Sequence, residues 1–196
     1  MAIRIKTTWF KQENEPKGPE KQATVLATTI WKLADRAVTD LSKAEYDIIT
    51  PQRGFGLLAE LSAFMIHMSD RMVYRRITDT DRQTLIQVTA VRLAEILEDN
   101  IHEIINDHEH PYQAAFIDLV NRRGNDYAEF EFSPEQPSFL VLRYLGNCIR
   151  DIMQSNDQSW VIDQIMEVQA PDMVPDLIKT VEGLFPHSPN QELPKT

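Results

Sequence analysis

The sequence predicts an all-α fold, a bundle of about seven or eight helices around a long antiparallel helix hairpin. Apolar residues recur at three- and four-residue spacing through most of the chain, the signature of one-sided helices. Alternating, strand-like patterning is confined to the first ten residues. Proline, glycine and short Ser/Thr/Asp/Asn clusters separate the periodic stretches. With 196 residues, 42% of them hydrophobic and 26% charged, the chain is long enough to bury a core without disulfides or a structural metal.

The elements follow in order. Residues 1–19 read as an irregular arm, with Ile3 and Ile5 as a possible short strand and Trp9 and Phe10 as exposed aromatics. Residues 20–185 read as the helical domain. Its first helix, from Glu20 to about Val38, carries Val25, Ile30, Leu33, Ala34 and Ala37 on one side. Ser42 followed by Glu45 looks like a capping box opening a second, short helix, which Pro51 should end.

After Gly56 comes the strongest signal, with Leu58, Leu61, Met65, Met72 and Val73 on one broad face. Ser62 and Ser69 lie within that face and point to close approach by another helix. Thr78 or Thr80 caps the partner helix, which runs from about Asp81 to Asn106 and completes the hairpin. A helix from Tyr112 to Arg123 follows, interrupted or ended by Gly124. Ser138 to Met153 and Asp157 to Gln169 are the next two, and Pro171 opens the last at a position that tolerates its missing N–H. Residues 186–196 read as a disordered tail.

Composition narrows the function classes. The net charge of −10 disfavours nucleic acid as a partner. The acidic excess concentrates after Asp151, where it reads as a solvated face or, less simply, as a dock for a basic partner. No apolar run approaches the roughly 20 residues of a membrane span, so no membrane role is expected. The single cysteine, Cys148, and the absence of a secretory leader pattern fit a cytoplasmic protein. Cys148 falls on an apolar side and reads as a buried structural thiol.

Four constellations could carry chemistry. Glu60 and His67 are seven apart, which returns them to within about 20° on a helix. With Asp99 and His102, spaced to share an ion, they form a candidate metal set if the hairpin closes. The competing reading is a polar helix face with salt bridges, and no Glu-x-x-His occurs anywhere. His108 and His110, flanked by Asp107 and Glu109, could hold a stray metal, although helix-entry chemistry explains the segment equally.

Arg143 and Arg150, seven apart beside Gly146, are candidate anion ligands, with pairing to acidic neighbours as the simpler role. Asn100 projects into an apolar stripe and reads as a polar clasp to backbone carbonyls or Arg92, or as a ligand contact.

Phosphate-binding loops, dinucleotide fingerprints, nucleophile elbows and zinc spacings are all missing. The expectation is therefore a non-enzymatic protein acting through protein contacts, as a homodimer and without a resident cofactor. The alternatives are a helical-bundle metalloprotein or oxidoreductase, in which a metal ion is bound, and a small-ligand-binding regulator that uses the Met65, Met68 and Met72 stripe.

Overall fold

The computed structural model describes residues 18–186 apart from 49, 75, 134 and 135. The strand at Ile3 and Ile5, the aromatics Trp9 and Phe10 and the expected tail lie outside the described residues. Within them there are six helices and no strand. They are α1 (Pro19–Lys43), α2 (Pro51–Val73), α3 (Asp79–Ile105), α4 (Tyr112–Ala128) and α5 (Phe139–Arg150), then α6. Helix α6 begins as Val161–Gln164, widens through a π-helical turn at Ile165–Gln169 and continues as Ala170–Leu184.

One helix that does not form and one merger bring the helix number below the expected seven or eight. No helix starts at Ser42; α1 runs on to Lys43 and stops where Glu45 adopts a left-handed φ of 65°. Pro51 begins a helix and ends none, because Thr50 caps α2 by accepting the Arg53 N–H at 3.3 Å. Proline at the first helical position forfeits no intrahelical bond.

The last two expected helices are one. Pro171 has no N–H to give and its ring crowds the preceding turn. The π turn relieves this, with the Ala170 N–H reaching the carbonyl of Ile165 five residues back. Gly124 does not interrupt α4, which continues to Ala128.

Helices α2 and α3 form the expected hairpin, and α2 is its buried member. Every residue from Leu57 to Ile66 is buried, so this stretch has no solvent face. Around it pack α1, α3, α4, α5 and α6. Ser62 and Ser69 sit inside, and the Ser69 hydroxyl donates to the Met65 carbonyl at 2.8 Å. Helix α3 turns Leu85, Leu93, Leu97 and Ile101 inward while Val91 and Asp99 stay exposed. One continuous buried cluster draws on all six helices. No helix among the described residues is long and apolar enough to cross a membrane.

Gly146 is where α5 meets α6. A methyl group added there would lie 3.0 Å from Ile162 Cγ2 and 3.2 Å from Ile162 Cα, and the backbone atom cannot step aside. Gly124, also helical, has open space around it. Replacing glycine by alanine in a helix gains about 1 kcal/mol of propensity, whereas overpacking costs about 1–3 kcal/mol. Urea unfolding should therefore show Gly124→Ala stabilised by up to about 1 kcal/mol and Gly146→Ala destabilised, despite identical chemistry.

Candidate functional site

The sequence-predicted residue Glu60 faces the interior, with only 5% of its surface exposed. Arg123, from α4, meets its carboxylate side-on, Nε to Oε2 at 2.8 Å and Nη2 to Oε1 at 2.7 Å. The third guanidinium nitrogen donates to the Tyr144 hydroxyl of α5 at 2.9 Å. Tyr144 in turn donates to Asp126, one turn along α4 from Arg123. The network thus ties the centre of α2 to α4 and α5.

Aromatic rings close over it. Tyr127 is buried between His67, stacked at 5.1 Å and 28°, and Tyr144, edge-on at 5.1 Å. Its hydroxyl has no hydrogen-bond partner among the described residues. Burial raises the pKa of Tyr127 and of Tyr144, the latter also through its bond to Asp126. The Cys148 thiol is pushed up to about 11, chiefly by burial and then by the Glu60 charge. It is a buried, protonated thiol, as its apolar position foretells.

The hydrogen bonds to Glu60, followed by its charge, hold Arg123 cationic against the effect of burial. Burial, and secondly the Arg71 charge, lower His67 to about 4. At neutral pH the network therefore contains the close Glu60–Arg123 ion pair, a longer contact of 3.4 Å from Arg123 to Asp126, and neutral Tyr, Cys and His side chains.

This geometry separates the proposed metal set. Both oxygens of Glu60 are occupied by Arg123. Asp99 is exposed on α3, and His102 lies against the His108 ring at 4.3 Å. His110 contacts Asp107 at 2.7 Å, and the same carboxylate accepts the Tyr112 hydroxyl at 2.7 Å and the Glu109 N–H at 3.0 Å. Those bonds lower Asp107 to about 2 and make it the organiser of the α3–α4 turn, although Pro111 occupies the formal cap position. Among the described residues no group of three or more His, Cys, Asp or Glu could hold a metal ion.

The two candidate anion ligands lie on α5. Arg150 is engaged by its neighbour Asp151 at 2.9 Å, the simpler of the two roles expected for it. Arg143 lies over the Phe139 ring at 6.0 Å and pairs with no described carboxylate. Beside it on the outer side of α5, Phe139 and Leu140 are 61% and 59% exposed. At the other end of the helix pair Trp160 is 68% exposed, two residues before the Ile162 that touches Gly146. Val168, in the π turn that packs on α5, is exposed as well.

Arginine periodicity in the sequence pointed at this face. The apolar spacing turns Phe139 inward with Leu142, Leu145, Ile149 and Ile152, but Phe139, in the first turn, stands exposed, and Leu140 lies on the side of the helix opposite the buried stripe. No family model, curated protein or solved structure matches the chain.

Two measurements test the network. Removing Arg123 strands the Glu60 carboxylate in the core, a loss of about 3–5 kcal/mol, whereas replacing both partners by apolar residues is often nearly neutral. Chemical unfolding should rank Arg123→Met far below wild type, with Glu60→Leu/Arg123→Met recovering most of the loss.

For His67, the unfolded ring protonates near 6.5 and the folded ring near 4. Between those values the unfolded state binds the extra proton, so stability present above the upper value is lost as pH falls through the lower. His67→Phe keeps the stack on Tyr127 and removes the titration. Wild type should lose about 2–3 kcal/mol relative to this variant between pH 7 and 4, in matched denaturant titrations.

Proposed function

We propose that the chain is a helical protein that works by self-association, two copies meeting across the outer face of α5. The observation that carries this reading is the adjacent pair Phe139 and Leu140, each more than half exposed at the start of a helix that is otherwise firmly anchored. Isolated exposed apolar residues are ordinary, but a neighbouring pair beside an arginine with no carboxylate partner among the described residues has the make-up of an interface centre.

Helix α5 is suited to this because its inner side is fixed twice. Tyr144 joins the Arg123 network, and Gly146 lets Ile162 seat against the backbone. A rigid helix loses little entropy on docking. A stable interface needs about 800 Å² from each partner, and Val168 and Trp160, on the helix that packs against α5, are further exposed apolar residues.

The partner's chemistry follows from charge. Arg143 has no described counter-ion, and a second copy of a chain with net charge −10 offers many carboxylates. Two-fold pairing is the common closed solution, and it would set the Phe139–Leu140 pairs of both copies together.

Sedimentation velocity at micromolar concentration should give a dimer. Phe139→Asp/Leu140→Asp should weaken it by about 30-fold or more while leaving the helical circular dichroism unchanged. A wild-type chain that sediments as a monomer throughout overturns the proposal.

A further inference from the structure

A cavity of about 250 Å³ lies where α1, α2 and α3 converge, and it shares no residue with the α5 face. Trp31, Ile48, Phe55 and Ile104 give it apolar and aromatic walls. Asp35, one turn along α1 from Trp31, is the only charged side chain among the described residues that line it. Such a surface suits an occupant that is apolar in one part and basic in another.

The chain carries a segment of that make-up outside the described residues. From Met1 to Lys11 it holds Arg4, Lys6 and Lys11 with no acidic residue, and Ile3, Ile5, Trp9 and Phe10 beside them. In a chain with 30 acidic and 20 basic residues, a run free of acids stands apart. We propose that the chain's own residues 1–11 dock in this cavity, an apolar side chain against its walls and a basic one at Asp35.

Charge supports the match. Asp35 is half-buried, and burial raises its pKa; positive charge at the amino-terminal end of the chain acts the other way and lowers it. No Lys, Arg or His stands among the described residues of the cavity wall, so the counter-charge comes from elsewhere.

Reach supports it too. Asp35 lies about 24 Å along α1 from Pro19. The stretch from Lys6 to Gly18 spans up to about 40 Å, enough to run back beside the helix. Gly18, with a ψ of 164°, turns the chain out of the helical path where α1 begins. A tethered segment also meets the cavity at an effective concentration on the order of 1 mM, well above that of a second copy in micromolar solution.

Two measurements on the full chain test this. A zero-length carbodiimide joins an amine to a carboxylate in contact with it, forming an amide with loss of water. Peptide mapping of treated wild type and of Arg4→Lys should find Asp35 linked to an amine within residues 1–11, in material of the 22.6 kDa monomer mass. In ¹⁵N NMR spectra the Trp31 indole signal, identified as the one lost in Trp31→Phe, should shift in Arg4→Glu/Lys6→Glu, while the Trp160 indole signal stays in place. A link found only in material of twice the monomer mass assigns the cavity to a second copy's segment and overturns the proposal. Asp35 unlinked in both chains, or an unmoved Trp31 signal, overturns it as well.

Discussion

A charged group on a helix buried on every side must find a partner, and α2 carries a carboxylate at its centre. From Leu57 to Ile66 no residue of this helix reaches solvent freely, so Glu60 cannot be hydrated. An unpaired carboxylate in such surroundings costs several kcal/mol, more than one well-packed leucine returns. Arg123 resolves this with a two-pronged contact that is satisfied only when α2 and α4 stand at one relative height and rotation. Its remaining nitrogen extends the constraint to Tyr144 and hence to α5. Leucine against leucine would glue these helices as firmly, but it would tolerate sliding. The fork does not.

Much of the architecture was legible because most helices here obey one-sided spacing. Leu85, Leu93, Leu97 and Ile101 are deeply buried where periodicity places them, and Thr78 and Ser138 begin helices as capping residues should. Helix α2 departs from that rule. The run Leu57-Leu58-Ala59-Glu60-Leu61-Ser62-Ala63-Phe64-Met65-Ile66 is apolar nearly all round, which marks a fully enclosed helix. Reading it as two-faced put Glu60 on a polar edge, where a metal site or a surface salt bridge both made sense. The polar residue was real and its surroundings were misjudged. No pattern in the sequence singles out Arg123, 63 residues away, as its partner, because long-range pairing leaves no periodic trace.

Proline misled in both directions for a single reason. Pro51 stops a helix only if the chain is already helical before it; after a capping threonine it starts one. Pro171 follows a π turn and Pro175 an ordinary α turn, and the helix continues through both. The second case has a structural consequence, since an uninterrupted α6 carries Val161 and Ile165 as well as Leu177 and Val181 into one core. The π turn itself packs against α5, and Val168 within it is exposed.

Glu60 and Asp35 pose the same physical problem and meet it differently. Each is an acid withdrawn from water on a helix of the central group. Glu60 is held by two charge-assisted bonds and is closed to any ligand, so its role is complete within the fold. Asp35 is only half-buried, at a cavity between α1, α2 and α3, and keeps part of its hydration. Structural need explains a buried charge that has found its partner. The carboxylate–histidine stripe that the sequence first brings to notice is therefore closed by the fold itself: Arg123 takes both oxygens of Glu60, and the His67 ring is stacked on Tyr127.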